Sequence, residues 1–594
     1  MDKTMVELTI DGKKVSVDQN STILQACSQV GIRIPTLCHL DEVSSHGSCG
    51  ICVVEIKGVK RLQRSCMTTV RPNMEIITNN ARIRASRKLN LELILANHPL
   101  DCLTCERNLN CELQALAKQL GVTESRFGRT KKKLLPLDVS SSSLVRDPNK
   151  CILCNRCVQV CEQLQTVHAI DIINRGLKSK VSTFMDAGLG SSVCTNCGQC
   201  ALVCPTGAIT EKSSVNEVFA ALSDDSLVTI VQTAPAIRVG IGEAMGMPWG
   251  SLVTGKMVAA LRRLGFSKVF DTQFAADLTI MEEGYELIQR MEKGGTLPMI
   301  TSCSPGWIKF IEHFYSDRLD NLSTCKSPQQ MFGAIAKTYY AQQMEVDPRN
   351  IRVVSIMPCT AKKFEAGRSE MDSAFDFWKE RMNLDESERF ADVDYALTTR
   401  ELASMFTAVG IQFDSLEEEE FDDPLGRSTG AAVIFGATGG VMEAALRTAY
   451  EVITQESLAS VDFNEVRGME GIKEATVMIK DTPLKVAVAN TLGNARVLID
   501  QIDRGESPYA FIEVMACPGG CLGGGGQPIP TNSEIRKKRA ESIYLEDRNF
   551  DIRKSHENPA IKTLYEQFLV RPLSERSHHL LHTHYTKRGQ YTLF

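Results

Sequence analysis

FIEVMACPGGCLGGGGQP, Phe511 to Pro528, is an apolar run that ends on Cys517 and then breaks into glycine around a second cysteine, Cys521. An apolar run of this length bounded by Pro and Gly reads as a buried strand. Two other runs share the form. LPMITSC ends at Cys303, ahead of a helix start near Pro305, and VVSIMPC ends at Cys359, ahead of Thr360-Ala361-Lys362-Lys363. Past Ser214 such runs alternate with amphipathic segments: strands over 227–231 and 269–270, helices over 254–264 and 279–290. That alternation predicts an α/β domain. In α/β sheets ligand sites lie outside the carboxyl ends of the strands. Three strands that end in cysteine would therefore converge on one metal site. Gly519, Gly520 and the glycines at 523–526 let backbone approach a bulky group there.

The chain has 594 residues and a net charge of −5, with 43% apolar and 23% charged residues. Several globular domains fit this length. The charge gives no basic footprint for nucleic acid. The first twenty residues alternate apolar and polar and lack the apolar stretch of a signal peptide. No run approaches the roughly 18 apolar residues of a membrane span. These features predict a cytoplasmic protein, although export with a twin-arginine partner is compatible with them.

Twenty-one cysteines are present. In a reducing compartment they read as metal ligands or reactive thiols rather than disulfides. Cys38, Cys49, Cys52 and Cys66 follow two strand-like runs joined by Asp11-Gly12, a hairpin signal. The group resembles the cluster loop of plant-type ferredoxin domains, with a longer first spacing, which implies a [2Fe–2S] cluster, with zinc as the rival. HPLDCLTCERNLNC supplies His98, Cys102, Cys105 and Cys111 after a helical stretch at 83–96. Alone, His98 would read as a surface or capping residue. With three cysteines close behind it and no fourth, it becomes the natural fourth ligand of a cluster, and the group resembles the [4Fe–4S] segment of complex-I-type subunits, which uses one histidine and three cysteines. Cys151, Cys154, Cys157 and Cys161 repeat the spacing of Cys194, Cys197, Cys200 and Cys204, C-x2-C-x2-C-x3-C. In this two-cluster pattern the fourth cysteine of each run serves the other cluster. One [4Fe–4S] cluster then takes Cys151, Cys154, Cys157 and Cys204, the other Cys194, Cys197, Cys200 and Cys161. Four clusters in one chain make an electron relay. Cys27, among Ile23, Leu24 and Val30, reads as core.

TSCSPGW at 301–307, MPCTAKKFE at 357–365 and EVMACPGGCLGGGGQP at 513–528 resemble the three signature motifs of [FeFe]-hydrogenases, and the resemblance extends over the whole chain. The long form is similar to the catalytic subunits of multimeric NAD(P)-linked and electron-bifurcating hydrogenases. The implied architecture is multidomain α/β and α+β. It comprises a β-grasp, plant-type [2Fe–2S] ferredoxin-like domain (1–79), a one-histidine/three-cysteine [4Fe–4S] domain (80–140), a bacterial two-[4Fe–4S] ferredoxin-like domain (141–214) and an α/β H-cluster domain with a C-terminal tail (215–594). The implied cofactors are one [2Fe–2S], three [4Fe–4S] and the H-cluster. The last is a [4Fe–4S] subcluster joined to a diiron unit with CO, CN and azadithiolate ligands. The implied reaction is 2H⁺ + 2e⁻ ⇌ H₂.

Carried onto this sequence, the resemblance makes Cys359, Cys517 and Cys521 subcluster ligands, with Cys521 bridging to the diiron unit. Lys362 would bond one cyanide, and Pro235 and Ala236 would line the other. Gln329, Met357, Phe435 and Met515 would wall the pocket. Cys303, Glu283, Ser323, Glu286 and Arg290 would relay protons. By helical spacing alone, Glu283 and Glu286 read as a solvated charged face. The first motif departs from the family pattern, because Ser304 stands where a ligand cysteine is usual. Three readings follow: Cys325 supplies the missing thiolate, Ser304 ligates as alkoxide, or a shifted loop makes Cys303 the ligand.

No nucleotide site is evident, since GIGEAMG at 240–246 has the wrong glycine spacing. NAD(P) chemistry would need flavin- and NAD(P)-binding partner subunits, with ferredoxin as a further carrier. The other readings are a stand-alone ferredoxin-linked hydrogenase and an H₂-sensing or electron-wiring protein with low turnover. Four histidines between 578 and 584 read as a helical, partner-facing tail rather than a metal site.

Overall fold

The computed structural model describes residues 4–128, 134–479 and 482–590. The outermost ends of the first and last predicted segments lie outside these residues.

The N-terminal sheet has five strands in the order Lys13–Asp18, Met5–Ile10, Glu75–Ile77, Val53–Ile56, Gln63–Arg64. The hairpin forms at Asp11-Gly12, whose φ values of 47° and 83° suit a primed two-residue turn. Helix Ile23–Gln29 starts at a reciprocal cap between Thr22 and Gln25 and buries Cys27 in the core. Burial pushes that thiol up to about 11. Helix Ala81–Leu95 leads into the His98 segment.

In the two-run region, Asn155 and Gly198 hold equivalent places in the repeat. Both adopt left-handed backbone, at φ 68° and 71°, ahead of the short helices Arg156–Gln159 and Gln199–Leu202. The internal repeat in sequence is thus a repeat in structure.

The C-terminal region holds two four-stranded sheets. One is wholly parallel, in the order Lys268–Asp271, Val228–Thr233, Ile351–Met357, Tyr395–Thr398. The other runs Met299–Ile300, Phe511–Met515, Thr482–Asn490, Ile472–Ile479, with only the last strand antiparallel. Strands buried on both faces read as continuous apolar runs, which is why the cysteine-ended strands stand out in sequence.

One expectation is corrected. The helix expected over 279–290 runs from Thr272 to Lys293, with Asp271 capping it through Gln273 N–H. Its first two turns are buried all round, so they carry no amphipathic contrast. The C-terminal tail forms a helix, as expected, and one side of it packs on the domain. Helix Glu575–Leu581 buries Ser577, Leu580 and Leu581, and Lys326 N–H donates to Leu581 O at 2.8 Å. Among the described residues no helix is long and apolar enough to cross a membrane.

Candidate active site

The carboxyl ends of both C-terminal sheets open into one pocket. Cys359 follows Ile351–Met357, Cys517 follows Phe511–Met515, and Cys303 and Ser304 follow Met299–Ile300; all line it, as does Cys521. Gly520, at φ 79°, and Gly524 bring bare backbone to the wall. A Cβ on Gly524 would lie 2.1 Å from Pro358 O. Burial and neighbouring thiols push Cys517 well up and Cys521 up to about 12, while burial raises Cys359. Three thiols crowded in a dry pocket can all ionise only with a cation between them. The donor set therefore fits an iron–sulfur group.

Pro235, Gln329, Met357, Phe435 and Met515 line the same pocket. Gln329 is fixed from both ends. Its Oε1 accepts from Ser355 Oγ at 2.8 Å and its Nε2 donates to Glu365 Oε2 at 3.0 Å. Lys362 Nζ lies 2.8 Å from Glu365 Oε2 and donates to Cys303 O at 3.2 Å. Glu365, which holds the pocket residues Gln329 and Lys362, was not singled out in sequence because one glutamate in a lysine-rich helix carries no signal. Ala236 is a correction: it is buried against Val239, Val433 and Ile434 and does not line the pocket. The 3₁₀ turn Pro235–Ile237 rotates successive residues by a third of a turn, so Pro235 faces in and Ala236 faces away.

Behind Cys303 the long helix carries Glu283 and Glu286, both buried, so the solvated-face reading fails. Glu283 is 2% exposed, and its carboxyl lies beside Ser323 and the Ser302 backbone without a full hydrogen bond to either. Burial, then the Glu286 charge, pushes it up to about 8. Burial and the Glu283 charge also raise Cys303 well above a free thiol. Ser323 Oγ donates to Glu286 Oε2 at 3.1 Å, and Arg290 clamps Glu286 Oε1 at 2.6 Å.

Cys325 is the second correction. It does not line the pocket. Its Sγ lies 3.7 Å from Glu286 Oε2 and 4.0 Å from His582 Nδ1. Its carbonyl, not its sulfur, points toward the motif strand and accepts from Ser302 Oγ at 2.6 Å. Ser304 instead stands at the pocket, where its Oγ accepts from Ala516 N–H at 3.2 Å.

Upstream, Cys151, Cys154, Cys157 and Cys204 surround one cavity, and Cys161, Cys194, Cys197 and Cys200 another. In the N-terminal sheet domain, facing thiols pull Cys38 and Cys52 down to about 6 and push Cys49 and Cys66 up. His98 Nδ1 is buried without a hydrogen-bond partner among the described residues. Such an orphan nitrogen suits a metal. Cys102 and Cys105 sit half-buried on the same segment, and Cys111 Sγ approaches Pro205 O at 3.5 Å, beside Cys204.

The family described as "Iron only hydrogenase large subunit, C-terminal domain" matches residues 228–525. The chain is 51% identical to the NADP-reducing hydrogenase subunit HndD of Solidesulfovibrio fructosivorans, over 98% of this chain and 99% of that one. It is 40% identical to iron hydrogenase 1 of Clostridium pasteurianum, over 98% and 100%. This chain belongs to the iron-only hydrogenases. An apo variant of [FeFe]-hydrogenase HydA1 from Chlamydomonas reinhardtii superposes with a TM-score of 0.56 at 42% identity, covering 64% of this chain and all of that one. Further matches are a 2Fe-2S iron-sulfur cluster binding domain (3–81), an NADH-ubiquinone oxidoreductase-G iron-sulfur binding region (87–126), a ferredoxin-like domain of NADH-quinone oxidoreductase subunit 3 (142–210) and an iron hydrogenase small subunit (533–588).

One feature of this hydrogenase lay beyond sequence reasoning. Cys197 lines both the second ferredoxin-like cavity and the catalytic pocket. The two domains touch there backbone to backbone, since a Cβ on Gly525 would lie 2.3 Å from Cys197 O. Thr360 Oγ1 donates to Asn196 O at 2.6 Å and Gln199 Nε2 to Gly523 O at 2.8 Å, locking the contact. Because Cys325 stands outside the pocket, the Cys325→Ala hydrogenase is expected to keep its full iron content. The cost should be about 1 kcal/mol of stability, the scale for deleting one buried heavy atom. Iron analysis and thermal melting check both.

Proposed function

We propose that this hydrogenase interconverts protons, electrons and H₂, 2H⁺ + 2e⁻ ⇌ H₂, as the catalytic subunit of a larger NAD(P)-linked, electron-bifurcating assembly. The observation that carries the reading is one pocket with two distinct approaches. Cys303, beside Glu283, borders the pocket, and so does Cys197, which the pocket shares with the second ferredoxin-like cavity.

Cys359, Cys517 and Cys521, with Ser304 at the fourth corner, would hold the [4Fe–4S] part of the H-cluster. Pro235, Gln329, Met357, Lys362, Phe435 and Met515 would enclose the diiron part. When bound, that group supplies the redox chemistry that makes and splits H₂. The chain's own work is to exclude water and to move protons. Glu283 keeps its proton up to about pH 8 and sits between the Cys303 thiol and Ser323. A proton from Glu286 would pass through Ser323 Oγ to Glu283 and on to Cys303. Each donor is refilled from the outside, so no net charge stays in the buried helix.

Electrons would arrive through four clusters. The Cys38 loop touches the ferredoxin-like domain where Ser44 N–H donates to Gln163 Oε1 at 2.8 Å. The His98 segment joins the same domain through the Glu112–Arg156 pair at 2.6 Å. Two entry branches meeting at one domain suit a subunit served by more than one carrier, namely a flavin- and NAD(P)-binding partner and ferredoxin. Full-length similarity to iron hydrogenase 1 keeps the stand-alone, ferredoxin-linked reading in play. Purification from the native host, with subunits, flavin and iron counted together, tests the assembly. Copurifying flavin subunits and H₂-dependent NAD(P) reduction are expected. A lone chain that exchanges electrons only with ferredoxin would overturn it.

A further inference from the structure

The proton relay shares Glu286 with a second cluster, whose other two members, Cys325 and His582, the relay does not use. Glu286, Cys325 and His582 place one oxygen, one sulfur and one nitrogen within 4.8 Å of one another, all on buried residues. Glu286 divides its carboxylate. Oε1 is clamped by Arg290, while Oε2 accepts from Ser323 Oγ and Thr324 N–H and faces Cys325 Sγ. His582 Nε2 lies 3.1 Å from Glu282 Oε2. Glu282 is in turn fixed by the Tyr565 hydroxyl at 2.6 Å and Leu573 N–H at 2.9 Å. A carboxylate on Nε2 holds the ring proton there and leaves Nδ1 with its lone pair, the arrangement that orients metal-binding histidines. Nδ1 points at Cys325 Sγ and at the Thr324 hydroxyl, 2.8 Å away.

We propose that Glu286, Cys325 and His582 form a binding site for a divalent cation of the zinc class, and that its occupancy withdraws Glu286 from proton transfer. The donors are those zinc prefers: thiolate, imidazole and carboxylate. With metal–sulfur bonds near 2.3 Å and metal–nitrogen or –oxygen bonds near 2.0 Å, tetrahedral donors stand about 3.5 Å apart. The separations of 3.7 and 4.0 Å from Cys325 Sγ need to close by about half an ångström or less, and the Glu286 oxygen and His582 nitrogen, within 4.8 Å of each other, move together with them. Thiolate and carboxylate cancel the charge of the ion, so the buried site is neutral. Thr324 Oγ1 or a water completes four ligands. The exposed His578 ring stacks on His582 at 4.2 Å and marks the way in from solvent. An ion on Oε2 takes the lone pair that Ser323 now uses, which interrupts the relay. The inhibitory half of the proposal rests on the relay proposed above; the binding half does not.

The test adds zinc chloride to the holoenzyme, desalts it, and measures zinc per chain, zinc X-ray absorption and H₂ production. One extra zinc per chain is expected, with one sulfur near ~2.3 Å and nitrogen or oxygen near ~2.0–2.1 Å. Cys325→Ala and His582→Gln should each weaken retention at least about tenfold. Zinc should inhibit the parent and spare Cys325→Ala. Zinc surrounded by four sulfurs, meaning an emptied cluster site, would overturn the proposal, as would zinc retention equal in parent and variants. Zinc bound as described with turnover untouched would overturn the inhibitory half and with it the role of Glu286.

Discussion

Replacing Glu283 by glutamine is expected to lower H₂ turnover roughly 100- to 10,000-fold, the range for losing a positioned proton-transfer group. Iron content should not change. Glutamine preserves the shape of a side chain that is buried on a 22-residue helix, and it removes only the exchangeable proton. The position has no substitute, because the Glu283 carboxyl stands beside both Ser323 and the Cys303 thiol, and glutamine leaves no acid between them. Aspartate should recover part of the rate, since it keeps the proton but shortens the reach to Cys303. The pH dependence follows from the shift. Burial favours the neutral acid, so Glu283 holds its proton below about 8 and loses it above. H₂ production draws protons inward and should therefore fall as pH rises past about 8 in the parent. The Gln variant should be slow and flat across that range. Full turnover in Glu283→Gln, measured with a chemical reductant, would remove Glu283 from the path.

Cysteine spacing was the most legible feature of this chain, and the reason is geometric. Ligands to one cluster must come from short loops, so C-x2-C-x2-C-x3-C written twice states its own contacts. The cysteine-ended strands were legible for a similar reason, because Cys359 and Cys517 each close a run buried on both sheet faces. Contacts made through tertiary packing were not legible. Glu283 and Glu286 are three residues apart on a helix whether that face meets solvent or core, and only the fold decides. Cys325 drew attention as a spare thiol near a motif, but strand pairing settles where a side chain points. Its isolated bridge to His582 turns the sulfur toward the C-terminal segment, 257 residues away in sequence. Glu365, and the second place of the cluster ligand Cys197 at the catalytic pocket, escaped notice on different grounds. Glu365 matters through Lys362 and Gln329, and Cys197 through a cross-domain contact at Gly525. No local pattern encodes either.

Ser304→Ala is expected to lose subcluster iron and about 10- to 100-fold or more of H₂ turnover, whereas Ser304→Cys keeps both. The reasoning begins at the helix Pro305–Phe314. Ser304 is its N-cap residue, yet its hydroxyl makes no capping bond. A serine at that position ordinarily caps. Here Pro305 follows and the side chain turns to Ala516 N–H and the pocket. The positive end of the helix favours negative charge on the oxygen, which helps an alkoxide where a neutral hydroxyl would be a poor iron ligand. Alanine removes the ligand atom and also leaves Ala516 N–H unpaired, a cost of about 1–3 kcal/mol. Cysteine restores a fourth thiolate beside Cys359, Cys517 and Cys521. With Cys325 outside the pocket, the remaining rival is Cys303, one residue earlier. Iron analysis on Ser304→Ala and Cys303→Ala separates the two. If Ser304 holds the corner, the first variant loses iron and the second keeps it but turns over slowly for want of its proton donor. Full iron in Ser304→Ala with loss in Cys303→Ala would transfer the ligand role to Cys303 and leave the relay without its inner thiol.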